Sequence, residues 1–238
     1  MKIFLSKSEI VGESAVISGE DAHHIVKVLR MKRGDKLTLC DNEGIDHEAV
    51  IDEINSDVKV QILRSYPCLA EPNVDITIFQ CIPKSGKFEY IVQKCTEIGI
   101  TRIVPVISHR CVGKIDDSKK IARFQKVAVE AAKQCGRGRI PEVCEAVSFK
   151  EAIKKLSVME HKAMPYENEL NTHFRDVLKE KMKSFGLLIG PEGGFEDKEA
   201  EIAKDNGIPL VTLGKRILRT ETVAIALTPI ILYHLGGF

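Results

Sequence analysis

The sequence predicts an α/β protein: a mostly parallel sheet covered by helices, preceded by a small, mostly β unit. Three observations predict it. Stretches that alternate apolar and polar residues, separated by Gly, Asp and Asn, fill the chain up to Pro67. Beyond Pro72 the rhythm changes to strand and helix in turn, the pattern of a parallel sheet with helices on its faces. Near the carboxyl end two apolar runs, Leu187-Leu188-Ile189 and Leu210-Val211-Thr212-Leu213, each stop on glycine.

Taken in order, residues 2–6, 15–19, 34–42, 45–54 and 57–65 carry the alternation of strands. A helix from Glu20 to Leu29 interrupts them, opened by Ser18-Gly19-Glu20-Asp21 with acids in its first turn. Pro67 and Pro72 bracket a short linker and divide the chain into an N-terminal unit, 1–70, and a second domain, 73–238. The second domain begins with a strand Val74 to Ile82, a helix Ser85 to Ile98, a strand Arg102 to Ser108 and a long helix Asp116 to Cys135. Next come a strand Val143 to Val147, a helix behind the capping box Ser148-x-x-Glu151, a strand near His161 to Met164 and a helix around Thr172 to Lys183.

The closing series organises the rest. Leu187 to Ile189 reads as a buried strand ending on Gly190-Pro191-Glu192-Gly193-Gly194, and Glu196 to Asn206 as a short helix. Pro209 to Leu213 reads as a second strand ending on Gly214, followed by the charged loop Lys215 to Thr222 and the apolar helix Val223 to Leu235. The two glycine-ended strands are expected to lie side by side. That arrangement brings both loops to one sheet edge, where open α/β folds bind ligands.

Composition narrows the function classes. The 35 Lys and Arg against 34 Asp and Glu give a net charge of +1, which does not announce a nucleic-acid binder but leaves room for local patches. One such patch crowds His23, His24, Lys27, Arg30, Lys32 and Arg33 together; a solvated helix face accounts for it equally well. No apolar run reaches the roughly 20 residues of a membrane span, and the N-terminal apolar stretch is too short for a secretory signal, so a cytoplasmic protein without membrane contact is expected. Seven cysteines without a C-x-x-C pair indicate reduced thiols and neither a disulfide framework nor a zinc ribbon.

Familiar motifs are missing. There is no G-x-G-x-x-G after a strand, no P-loop at Ser85-Gly86-Lys87-Phe88, no G-x-S-x-G and no H-E-x-x-H. His23 and His24 are adjacent, so on a helix they diverge; no metal site is expected. What remains is the pair of glycine-ended strands with apolar neighbours. Backbone groups there suit the edge of a small adenosine-containing ligand, with Leu213, Ile217 and Leu218 covering its faces; two tight turns with core leucines explain each motif taken singly.

The residues carry a family resemblance. Leu188-Ile189-Gly190-Pro191-Glu192-Gly193-Gly194-Phe195 followed by Leu213-Gly214-x-Arg216-Ile217-Leu218-Arg219-x-Glu221-Thr222 with Ala224 resembles the signature of the RsmE family of SPOUT methyltransferases. Lys94-Cys95-Thr96-Glu97-Ile98-Gly99 with Pro105, Ser108 and Arg110, and Glu130-Ala131-Ala132-x-Gln134-x-x-Arg137, are similar to its other blocks. His23-His24, Val28-Leu29-Arg30 and Gly34-Asp35 resemble its N-terminal PUA-like barrel. Glu196 stands where a Ser or Thr helix cap is more usual.

The resemblance implies a PUA-like β-barrel followed by a SPOUT-type domain whose chain threads a trefoil knot, a rare exception to unthreaded topology. It further implies S-adenosyl-L-methionine as cofactor, methylation at N3 of a uridine in 16S ribosomal RNA, the small ribosomal subunit as context, and a homodimer. Leu188, Ile189, Gly190, Pro191, Glu192, Gly193, Gly194, Leu213, Gly214, Ile217, Leu218, Thr222 and Ala224 are then expected to hold the cofactor. For transfer to nitrogen no cysteine nucleophile is needed. Arg219 is expected to stabilise the uridinate, with Glu221 or a water taking its proton. His24, Lys27, Arg30, Lys32 and Arg33 are expected to bind RNA, with Arg110, Arg137 and Arg139 tracking its backbone. The last helix is apolar nearly all round, as burial within one subunit or cover by a second would each require. A catalytically silent RNA-binding assembly factor and a SPOUT methyltransferase acting on transfer RNA are the competing readings.

Overall fold

The computed structural model describes residues 2–6, 9–84, 86–113 and 118–237. They divide into two compact units, one formed by the chain up to Glu71 with Ala132–Ile140, the other by Pro72–Ala131 with Pro141 onward. The sequence reading assigned 132–140 to the second domain. Its attachment to the first rests on contacts distant in sequence, which no local pattern carries.

In the first unit β1 (Lys2–Phe4) pairs in parallel with β4 (Lys36–Cys40), and the sheet continues antiparallel through β5 (Ile45–Ile54), β6 (Val58–Pro67), β3 (Ser14–Ile17) and β2 (Ile10–Val11). Alternation puts Ile3, Ile17, Leu39, Ala49, Ile51 and Val58 inward as its core. The expected helix is split: α1 (Gly19–His23) runs into a π-helical turn, His24–Val28, in which Leu29 N–H reaches His24 O at 3.0 Å. The wider turn accommodates one extra residue, and Arg30 then leaves it in the left-handed region at φ 54°.

Residues 132–140 are fastened to this unit by buried charge. Arg137 is 2% exposed, and its Nε and Nη2 donate to the two oxygens of Glu71 at 3.0 and 2.9 Å. Glu71 also accepts from the Gly138 and Arg139 amides at 2.8 and 3.1 Å. Beside it the Lys2 ammonium donates to Asp46 at 2.8 Å and to Gly136 O at 2.7 Å. Gly138 has no room for a side chain: a Cβ there would lie 2.5 Å from that of Cys68.

The second unit is a parallel sheet ordered β10 (Val147–Ser148), β8 (Arg102–Ile107), β7 (Asp75–Cys81), β12 (Ser184–Ile189), β11 (Lys162–Pro165), β13 (Leu210–Val211), with β9 (Glu142–Val143) also on β8. The helices are α2 (Lys87–Ile98), α3 (Ser118–Cys135), α4 (Phe149–Ser157), α5 (Asp197–Asp205) and α6 (Thr220–His234). The expected starts at Ser85 and Asp116 lie outside the described residues. The predicted capping box is present, with Glu151 N–H donating to Ser148 Oγ at 3.3 Å and Ser148 N–H to Glu151 at 2.9 Å. One face of the sheet packs Phe79, Val104 and Leu188 against Ile153, Leu156, Ala200 and Ala203 of α4 and α5. On the other face α6 lies against β7, β12 and α2.

Three sequence expectations are corrected. The strand expected over 143–147 is two fragments, β9 and β10. The helix expected around 172–183 is only a 3-10 turn, Phe174–Val177; His173 instead bridges Thr212 in parallel fashion, and Phe174 is buried against Phe185. The two glycine-ended strands are not neighbours: β11 lies between β12 and β13. Their loops still reach one edge, because parallel strands all present their carboxyl ends on the same side.

Candidate functional site

The cleft sits at that carboxyl edge and encloses about 1000 Å³. Its floor is the turn after β12, closed by Gly194 N–H on Pro191 O at 3.0 Å. Small residues are required here for separate reasons. A Cβ at Gly190 would lie 3.0 Å from the Phe195 ring, while Gly194 has φ 66° and a Cβ there would collide with the Glu167 carboxylate. The turn is held from outside by Arg110, whose Nη1 donates to Gly193 O at 2.8 Å.

Loop 213–219 forms the opposite wall. Gly214 has φ 94° and open space where a Cβ would project, and Ile217 is 88% exposed, an apolar side chain in the wall of the cleft with little to cover it. Arg219, exposed, is the N-cap residue of α6 and also lines the cleft.

Of the expected cofactor residues, the stretch Ile189 to Gly194 and the residues Leu213, Gly214, Ile217 and Leu218 line the cleft. Leu188, Thr222 and Ala224 do not. Strand alternation turns Leu188 to the opposite face from Ile189, into the core; Ala224 is fully buried on the inner side of α6, and Thr222 is exposed outside the cleft. Glu221 is likewise not in the lining. Its carboxylate lies 3.3 Å from Lys87 Nζ, and the same ammonium lies 3.4 Å from Glu192. Burial pushes the Glu192 carboxyl up, but its own N–H, the Lys84 N–H at 3.1 Å and Lys87 outweigh this and hold it below the usual carboxylate range.

Sequence reasoning missed Lys87, Tyr166, Glu167 and Thr220, all in the lining. Lys87 opens α2 directly after Gly86, and Glu167 follows β11, the strand whose place between the other two was not legible. Tyr166 donates to Asp197 Oδ1 at 2.5 Å; burial, and then that carboxylate, push its hydroxyl pKa up. No described residue hydrogen-bonds the Glu167 carboxylate, which leaves an acceptor free in the wall.

The expected RNA residues separate. His24 is half-buried and Lys27, Arg30, Lys32 and Arg33 are exposed on the first unit, Arg33 in a 3.2 Å pair with Asp52. Arg139 is exposed, its Nε and Nη2 on Glu43 O at 3.1 and 3.0 Å. Arg137 is corrected: buried and paired with Glu71, it offers no charge to a surface ligand. Arg110 belongs to the second unit and braces the glycine turn. Among the described residues no cluster of His, Cys, Asp and Glu could hold a metal ion, and no helix is long and apolar enough to cross a membrane.

Known proteins resemble this chain over most of its length. Residues 70–232 match a family model described as an RNA methyltransferase domain, and residues 17–63 one described as an RNA methyltransferase PUA domain. The chain is 33% identical to ribosomal RNA small subunit methyltransferase E of Bacillus subtilis strain 168, over 87% of this chain and 84% of that one. It is 32% identical to the protein of that name from Buchnera aphidicola subsp. Schizaphis graminum, over 95% and 91%. The crystal structure of ribosomal RNA small subunit methyltransferase E from Neisseria gonorrhoeae, bound to S-adenosyl methionine, superposes with a TM-score of 0.87 at 30% identity, covering 97% of this chain and 95% of that one. The chain therefore belongs to the ribosomal RNA small subunit methyltransferase E family.

Proposed function

We propose that this protein methylates N3 of a uridine in 16S ribosomal RNA with S-adenosylmethionine as methyl donor, acting in the cytoplasm on the small ribosomal subunit. The observation that carries the reading is the cleft itself. A glycine turn too tight for side chains faces a glycine-ended loop tipped with Ile217 and Arg219. Its volume of about 1000 Å³ suits a nucleoside with a second reactant beside it. The relatives' names and the S-adenosyl methionine bound in the gonococcal structure support a ribosomal RNA methyltransferase that uses this donor.

The residues present fit the donor. Backbone groups of Gly190 to Gly194 and of Leu213 to Leu218 would hold the adenosine, and the unpaired Glu167 carboxylate offers an acceptor for a hydroxyl or ammonium. When bound, the donor supplies a methyl group on an electrophilic sulfonium. Arg219 stabilises the negative charge that develops on the uridine when N3 loses its proton, because a guanidinium remains charged at any working pH. With Glu221 engaged by Lys87, water is the proton acceptor and Glu221 a tether for the cleft ammonium. No cysteine lines the cleft among the described residues, in keeping with direct transfer to nitrogen.

The first unit contributes RNA contacts through Lys27, Arg30 and Lys32, supported by their exposure. A homodimer is supported by α6, where Ala226, Ile230 and Tyr233 follow at spacings that share a face and the last two are 45% and 80% exposed. The knotted SPOUT topology is part of the same proposal, supported by the membership of the family.

The test is methyl transfer from radiolabelled donor to purified small subunits, naked 16S RNA and transfer RNA, followed by nucleoside mass spectrometry. The reading expects 3-methyluridine in small-subunit RNA. Label appearing only in transfer RNA, or none in any substrate, would remove it.

A further inference from the structure

The geometry points to Gln80 as a positioning residue of the cleft, acting through Thr220 to hold the two ligand-binding loops together; this rests on the proposed cofactor role of those loops. Gln80 lies on β7, opposite Ile189 of β12, and has no exposed surface. A buried amide of this size is costly unless its polar atoms are partnered. Its nitrogen is fully used: Nε2 donates to Cys81 O at 3.0 Å and to Thr220 Oγ1 at 2.8 Å. Thr220 Oγ1 then donates to Gly190 O at 2.6 Å.

The direction of this chain is forced. An amide nitrogen only donates, so the Thr220 hydroxyl must accept from Gln80, and its single proton is left for Gly190. The next residue, Pro191, has no N–H, so the strand end cannot be fixed by a following backbone donor there. The hydroxyl of Thr220 takes over that task.

Thr220 is also the first residue of α6, directly after Arg219, whose carbonyl accepts the Val223 N–H at 3.0 Å. The two bonds from Thr220 therefore set the Arg219 backbone against the glycine turn. Lys87 also spans Glu192 and Glu221, at 3.4 and 3.3 Å, but from a third element, whereas the Thr220 hydroxyl joins the two loops in one bond. Gln80 Oε1, by contrast, is buried without a partner. Orphaned buried acceptors are rare in native cores. An apolar residue would avoid that orphan in packing alone; the nitrogen's task at Thr220 explains why an amide stands there.

The experiment measures S-adenosylmethionine binding by calorimetry, thermal stability, and kcat and KM for the donor in the full-length wild type and in Thr220→Val, Thr220→Ser, Gln80→Met and the double variant Gln80→Met/Thr220→Val. Thr220→Val and Gln80→Met are expected to raise Kd and KM about tenfold, the effect of one lost hydrogen bond that orphans its partner. Thr220→Ser, which keeps the hydroxyl, is expected to recover most of that loss. The double variant should be no weaker than the weaker single one, because both break one chain. Unchanged affinity in Thr220→Val, equal loss in Thr220→Ser, or additive losses in the double variant would each overturn the inference. Should Gln80→Met fail to fold, the Thr220→Val and Thr220→Ser pair decides alone. Absence of donor binding by the wild type would instead sink the proposed function.

Discussion

The Lys87 ammonium stands 3.3 Å from the Glu221 carboxylate, and Lys87 lines the cleft while Glu221 does not. Turned to Lys87, the carboxylate is out of place to take a proton from a bound base. Glu221→Gln should therefore lower the single-turnover rate by less than about tenfold, whereas removing a general base costs roughly 10²–10⁴. A loss in the larger range, with the acidic limb of the pH profile removed, would return Glu221 to the reaction.

Arg219 is the complementary case. Its exposed guanidinium lines the cleft, so Arg219→Ala should cost about 10² or more in single-turnover rate while donor affinity changes little. Rapid-quench methylation beside calorimetry separates the two. Retained rate would remove Arg219 from the chemistry.

Arg137 and Glu71 belong to stability. Arg137→Met leaves a buried carboxylate without its partner and should destabilise the protein by about 3–5 kcal/mol in urea denaturation. RNA affinity, measured well below the midpoint, should stay near wild type. A selective loss of RNA binding at unchanged stability would contradict the burial.

Cys111 differs from the other thiols. A hydrogen bond from Cys81, then those from Ser108, hold its pKa down to about 6 against the cost of burial. Burial pushes Cys40 and Cys95 up to about 12 and Cys144 to about 11. Iodoacetamide should accordingly modify Cys111 first, with a rate rising through pH 6 and level above it, read by peptide mass spectrometry. The linkage has a definite sign: a folded pKa below the unfolded one stabilises fully above the unfolded value, near 9, and that contribution is lost as pH falls through 6.

Local patterns made much of this molecule legible. The glycine turn, the loop ending at Arg219, the capping box of α4 and the strand alternation of the first unit all depend on neighbours a few residues apart, and the sequence displays those neighbours. Phe174, Val177 and Leu178 also have helical spacing, yet Phe174 packs on Phe185 and His173 pairs with Thr212, and these tertiary contacts outweighed the local preference. Arg137 read as a surface cation because its partner is 66 residues away. Glu167 and Lys87 escaped notice because their roles follow from strand order and helix placement, which pattern cannot rank. Gln80 was invisible for the same reason: its partner Thr220 lies 140 residues on.

The path of the chain after β13 has a consequence for biosynthesis. From the strand beyond β11 it returns to the middle of the sheet, where α6 settles on β7 and β12. A nascent polypeptide that has emerged only as far as Val211 possesses every strand of that sheet and half of a cleft. On the proposed cofactor role of that cleft, donor binding requires α6 in place, so a chain whose last helix has not yet docked should stay idle.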